Sequence, residues 1–321
     1  MQPKSISKIN RSIIVESSYQ LNPASPNCYK KTSKSAQSPH ATLPNYKKKS
    51  KTDSTASNSE EFSREYQSRF KFTPPPELPN AQTVITVAMP RPLTKAAFTW
   101  NGKTQSYTLP PIYTAHDKTK LYVEHTIAEE LEKHNYKTAT AMLPLKLLAA
   151  RSGLAEYGKN NIAYVSGMGS FMRLTALYSD MPCTNDARQQ AQAMKRCETC
   201  NLCSKACPTG AISQSRFLLR AEKCLTYHNE KAGNIPFPDW IKPEWHNCPV
   251  GCIRCQATCP ENKPFMQQVG EAVSFTETET KLLMKGVPTE QIPRVTLKKL
   301  QLLRITDHVG EFPRNLSAFL K

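Results

Sequence analysis

A chain of 321 residues, 39% of them hydrophobic, suffices for one large domain or two ordinary ones with a real core. Its 43 Lys and Arg against 26 Asp and Glu leave a formal charge of +17, which bears on association rather than on fold. No N-terminal stretch has the apolar core of a secretory signal and no apolar run is long enough to span a bilayer, so the expectation is a soluble, cytoplasmic protein with no membrane partner.

Residues 1–75 are rich in Ser, Lys, Asn, Thr and Pro, as in Lys47-Lys48-Lys49-Ser50-Lys51, and carry few large apolar side chains. Such a segment cannot bury enough surface to offset its ordering entropy, which predicts a disordered basic tail. Cys28 stands alone in it and reads as an incidental thiol.

From Ala81 the character changes. Gln82 to Met89 is a β-branched apolar run ended by Pro90, the pattern of a buried strand. Ala96–Trp100 and Thr104–Leu109 flank Asn101-Gly102, a strong hairpin signal. The spacing of Leu121, Val123, Ile127 and Leu131, with acidic residues between, predicts an amphipathic helix from Lys118 to Asn135 packed on a sheet. A second helix is predicted over Met142–Ser152, with Pro144 in its first turn and Gly153 just past its end. Gly153 to Asn161 reads as a loop, and Asn161–Val165 and Phe171–Tyr178 as strands joined by Ser166 to Ser170. After the cysteines, Glu271–Met284 and Val295–Leu303 both show helical spacing. The expected fold class is α+β, a mixed sheet with flanking helices, then a ferredoxin-like two-[4Fe–4S] module and short C-terminal helices. The expected domains are the tail over 1–75, an α/β domain over 76–182, the cluster module over 183–265 and a helical segment over 266–321.

Ten of the eleven cysteines lie between 183 and 259. Cys197, Cys200, Cys203 and Cys207 with Pro208 read C-x2-C-x2-C-x3-C-P, and Cys252, Cys255 and Cys259 with Pro260 read C-x2-C-x3-C-P. That spacing marks [4Fe–4S] ligation in a reducing compartment, in which the Cys before Pro serves the other cluster. A zinc ribbon would use two C-x2-C pairs and has no need of a third Cys or of the Cys-Pro endings. Crossed ligation assigns Cys197, Cys200, Cys203 and Cys259 to one cluster and Cys207, Cys252 and Cys255 to the other. Either Cys224 or Cys248 fills the remaining position. Two such clusters, each a net dianion with its thiolates, would bring the charge from +17 to about +13.

Five segments stand together: Leu148 to Asn161 (Leu-Ala-Ala-Arg-Ser-Gly-Leu-Ala-Glu-Tyr-Gly-Lys-Asn-Asn), the Gly169-Ser170 turn, Cys197 to Ile212, Ala221 to Tyr227 and Gly251 to Pro260. In these the chain resembles the epoxyqueuosine reductase family, cobalamin-dependent iron–sulfur enzymes related to reductive dehalogenases. The resemblance implies that Cys224, rather than Cys248, is the eighth ligand, leaving Cys183 and Cys248 as buried free thiols. It further implies a base-off cobalamin above one cluster, in a pocket of the α/β part, with Gly158 and Lys159 candidates for contact with cofactor phosphate or amide groups.

The family's catalytic Asp sits in an Asp-Ser-Ala-Pro-like segment, but Lys137 to Pro144 carries no carboxylate, and Ala155 stands where a Gly is usual. The catalytic residue is therefore unknown, with Tyr113, His116, Asp117, Tyr157 and His246 as the available acids. One functional reading is a reductase that takes electrons from a low-potential donor and passes them to a small-molecule substrate or corrinoid. The alternative is a ferredoxin-like electron carrier, and the basic charge also permits a tRNA partner.

Overall fold

The computed structural model describes residues 68–320 apart from 115, 184–188 and 215–218, together with the backbone of short strands nearer the N-terminus. Cys28 lies outside the described residues. Within the segment read as a disordered tail, Glu16–Ser17 pairs with Lys31–Thr32, and Lys34–Pro39 (β1) forms an edge strand of the main sheet. The reading of 1–75 as disordered therefore does not hold for these strands. Composition missed β1 because an edge strand needs only backbone pairing with its neighbour, not an apolar pattern of its own.

Thr83–Pro90 (β2) is buried along its whole length up to Pro90, as its unbroken apolar run requires. Leu93–Trp100 (β3) and Lys103–Leu109 (β4) form the predicted hairpin, with Asn101 and Gly102 at φ 48° and 73°, the signs of a type I′ turn. His116–Glu132 (α1) follows, then Thr138–Thr140 (β5) and Leu145–Arg151 (α2). The second helix starts three residues later than predicted because Pro144 sits at its N-cap. The predicted loop after it holds the short pair Glu156–Tyr157 (β6) and Ala163–Tyr164 (β7), and Met172–Ser179 (β8) closes the α/β part.

Strands β1, β2, β8 and β5 form an antiparallel sheet in that order. Alternation along β2 splits its core between two faces. Ile85, Val87 and Met89 pack with Val123, Ile127 and Leu131 of α1, while Val84 packs with Leu147 and Leu148 of α2.

The cysteine module supplies three short helices, Leu202–Ala206 (α3), Leu225–Asn229 (α4) and Arg254–Ala257 (α5). Beyond it the helix predicted over 271–284 is half strand. Val269–Phe275 (β9) runs parallel to β3, and only from Glu277 does a helix, Glu277–Lys285 (α6), begin. Val273 and Phe275 are buried with exposed residues between, a period of two, and Thr276 with Glu279 forms the capping box that starts α6. Arg294–Leu303 (α7) and Phe312–Phe319 (α8) complete the chain. With β9 they enclose a second core in which Phe98 and Phe275 stack at 5.0 Å between ring centres. The segment over 266–321 thus adds a strand to the hairpin of the α/β part rather than forming a separate helical unit. No helix among the described residues is long and apolar enough to cross a membrane.

Candidate metal centres

Two groups of four cysteines face two cavities. Cys197, Cys200, Cys203 and Cys259 line a small void of about 20 Å³, and Cys207, Cys224, Cys252 and Cys255 lie on the wall of a large one of about 550 Å³. The cysteine before each Pro is the member that crosses from one loop to the other group. The loops are tied together at the surface, where Arg196 meets Glu261 at 3.1 Å. The groups adjoin, since a thiolate at Cys203 raises the pKa of Cys255.

Without metal, five of these thiols resist ionisation. Burial pushes Cys203 up to about 11, with the neighbouring Cys197 adding to it, and burial likewise raises Cys197, Cys224, Cys252 and Cys255. A metal core of positive charge removes that penalty, so metal binding and proton release are coupled. Several donors already point at the sulfurs: the backbone N–H of Lys159 at Cys197, of Ser204 at Cys203, of Thr226 at Cys224 and of Arg254 at Cys252. Such N–H···S bonds set the potential of an iron–sulfur site. Among the described residues no three His, Cys, Asp or Glu converge on a point that would suit a lone metal ion. A cubane spaces its thiolates more widely than a single ion does.

Cys224 lies on the large cavity, whereas Cys248 is fully buried off both cavities, its thiol donating to the Thr108 carbonyl at 3.1 Å. Cys183 lines neither cavity. Gly158 and Lys159 line the small cavity rather than the large one. Lys159 is buried with its ammonium on Asn201 Oδ1 at 2.8 Å, and a Cβ at Gly158 would fall 2.6 Å from both Asn160 Oδ1 and the Tyr164 ring. These two residues therefore pack around the first cysteine group instead of reaching the larger space.

Of the candidate acids, Tyr113 lines the large cavity and hydrogen-bonds to Glu230. Tyr157 sits in β6 and does not reach the cavity. His246 is buried off the cavity beside Phe237, its pKa lowered to about 4 by burial and by Arg314 and Arg254. The side chains of His116 and Asp117 lie outside the described residues.

Three supporting residues carry no signal in the sequence. Asn247 donates to Cys252 Sγ at 3.1 Å while its own oxygen accepts from Ile253 N–H at 3.0 Å, which fixes the second loop. Asn262, fully buried, bonds to the N–H and hydroxyl of Ser170, both at 2.8 Å, and to the Gln256 carbonyl at 2.9 Å, joining the cluster loops to the α/β part. Lys146 opens onto the large cavity and donates to the Asn161 carbonyl at 3.0 Å. Asn247 acts within its own loop, whereas Asn262 reaches Ser170, ninety-two residues away, and no periodicity or spacing in the sequence marks either contact.

Residues 196–262 match the family model of a 4Fe–4S double cluster binding domain. An epoxyqueuosine reductase of Atelocyanobacterium thalassa is 29% identical over 199 residues, 60% of this chain and 62% of that protein. One of Burkholderia pseudomallei is 33% identical over 150 residues, 43% of this chain and 36% of that protein. The chain thus spans less than two thirds of the length of these relatives. The solved structure of epoxyqueuosine reductase from Streptococcus thermophilus superposes with a TM-score of 0.57 at 16% identity, covering 89% of this chain and 76% of that one. A second, described as epoxyqueuosine reductase with a tRNA-Tyr epoxyqueuosine-modified tRNA stem loop, gives 0.60 at 18% identity, with coverage of 89% and 76%. At such identities these structures show the fold: the chain has an α+β architecture like theirs, and it resembles the epoxyqueuosine reductases in sequence.

Proposed function

We propose that this chain is an iron–sulfur reductase that takes electrons from a low-potential donor and delivers them to a ligand in the large cavity. The observation that carries the reading is the placing of Cys207, Cys224, Cys252 and Cys255 on the wall of a cavity of about 550 Å³, within the size range of small-molecule and cofactor sites. An electron carrier for another protein needs room for its clusters, such as the small void at the other cysteine group, but no space of this size beside them.

The donor set suits two [4Fe–4S] clusters: Cys197, Cys200, Cys203 and Cys259 would hold one, and Cys207, Cys224, Cys252 and Cys255 the other. When bound, the clusters supply one-electron transfer at low potential. The rest of the cavity suits a flat macrocycle edged with amides. Leu145, Ile162, Met172 and Leu225 offer apolar contact, and Asn160, Asn161 and Gln256 offer amide hydrogen bonds. A cobalamin held there would supply a cobalt ion able to gather electrons for a two-electron reduction.

The protein's own groups set what else enters. Lys146, Arg173 and Arg254 line the cavity and favour an anionic ligand, while Glu230 is the one carboxylate among its described lining residues. Three cations suit the phosphates flanking a nucleoside in RNA, and the names of the relatives support epoxyqueuosine in tRNA as the substrate. The test is anaerobic reconstitution followed by titration with cobalamin. The reading expects binding at micromolar concentrations with a base-off spectrum, and an unchanged cobalamin spectrum would overturn the cobalamin part of it.

A further inference from the structure

Reduction of an organic ligand consumes protons as well as electrons, and the segment 137–144 offers no carboxylate to supply them. Among the described residues the cavity wall holds one carboxylate and one phenol, Glu230 and Tyr113, and the two are hydrogen-bonded to each other across 117 residues of sequence. Each is held in place. Tyr113 follows Pro110-Pro111, donates its N–H to the Pro110 carbonyl at 3.1 Å, and lies against Gly251, where a Cβ would come within 2.3 Å of its ring. Glu230 follows directly on the last turn of α4, its N–H bonded to the Thr226 carbonyl at 3.1 Å.

Further titratable side chains lie beside the pair. The Tyr113 ring meets His308 edge-on at 5.3 Å, and His308 Nδ1 lies 3.8 Å from Glu311 Oε1, with those side chains 25% and 16% exposed. The charged groups that act on Glu230 are His308, Glu311 and Arg69, besides Tyr113 itself; those that act on Tyr113 are Cys224 and Cys248, besides Glu230.

We propose that Tyr113 and Glu230 are the proton source of the large cavity, coupled to the arrival of electrons at the adjoining cysteine group. The proposal rests on the reductase reading. The new electron pair on the reduced ligand takes the Tyr113 hydroxyl proton: the O–H bond of Tyr113 breaks as the ligand–H bond forms. The O–H bond of protonated Glu230 breaks in turn, and its proton restores the Tyr113 hydroxyl. Glu230 is left as a carboxylate and regains a proton from solvent. The electrons are those of the low-potential donor, and no other reactant is needed. Burial favours the protonated form of Glu230 against the opposing effect of the Tyr113 hydrogen bond, and burial holds Tyr113 protonated.

Because an added electron nearby stabilises the protonated carboxyl, Glu230 takes up a proton when the adjoining cluster is reduced. The test is an EPR-monitored redox titration of the reconstituted protein at several pH values, which needs no substrate. In the unaltered protein the potential of one cluster falls as pH rises across the Glu230 titration range. E230Q, with iron content unchanged, loses that dependence. Y113F keeps it but moves it to higher pH, since the hydrogen bond that lowers the Glu230 pKa is gone. A potential independent of pH in the unaltered protein, or a dependence that survives E230Q, would overturn the proposal while leaving the reductase reading intact. Failure of the unaltered protein to assemble clusters would instead overturn that reading and the proposal with it.

Discussion

Replacing Cys224 and Cys248 separately by Ala distinguishes the two cysteines that sequence spacing alone left in competition. Cys248 is fully buried, and its thiol donates to the Thr108 carbonyl at 3.1 Å with Asn247 Oδ1 also at 3.1 Å. Deleting that sulfur removes about 1 kcal/mol of transfer energy and about 1 kcal/mol of hydrogen bonding, roughly 2 kcal/mol in all. A domain stable by about 5–15 kcal/mol survives that loss. C248A should therefore fold, melt a few degrees lower and retain about eight irons per chain. Cys224 faces the cavity beside Cys252 and Cys255, so C224A should cost little packing but reduce the iron to about four per chain, with the loss of one cluster signal. Iron and sulfide analysis with low-temperature EPR on anaerobically reconstituted protein reads both. Eight irons in C224A with four in C248A would refute the assignment and the geometric reasoning behind it.

Two further outcomes follow from buried polar contacts. N262A deletes three hydrogen bonds at a fully buried position and leaves the Ser170 N–H unpaired, so it should cost about 3 kcal/mol and lower the melting temperature of the reconstituted protein; an unchanged midpoint would count against Asn262 as the link between cluster loops and sheet. Burial alone would raise the Glu279 pKa, but hydrogen bonds from Lys299, the Thr276 N–H and Thr296 leave it lowered. Its stabilising effect is therefore present above the ordinary carboxylate range and lost as pH falls through the lowered folded value. E279Q should weaken the capping box by about 1 kcal/mol near neutral pH and by less in acid, which denaturant melts at two pH values would reveal.

The cysteine motifs were the most legible part of the chain because ligand spacing is a local constraint written in consecutive residues. The strand at Thr83–Pro90, the Asn101-Gly102 hairpin and the helices at 116–132 and 294–303 were legible for the same reason: each depends on its own period and caps. The half-strand at Val269–Phe275 was not, since its apolar spacing suits either period and only its parallel pairing with Leu93–Phe98 decides the matter. The family resemblance makes Lys159 a candidate for cofactor contact, and the structure shows its ammonium on Asn201, forty-two residues away in sequence. Glu230, Asn247 and Asn262 carried no signal at all. Glu230 and Asn262 take their roles from Tyr113 and Ser170, which only the fold brings against them, and Asn247 takes its role from the conformation of its own loop.

The account stands most directly on whether electrons stored by the two cysteine groups reach a ligand in the large cavity. Reconstituted protein, reduced and then freed of reductant, can be mixed anaerobically with oxidised cobalamin while cluster and cobalt absorbance are followed together. The clusters should reoxidise in step with cobalt reduction, yielding about two electrons per chain, one from each cluster. Clusters that stay reduced while cobalamin remains bound and oxidised would contradict it.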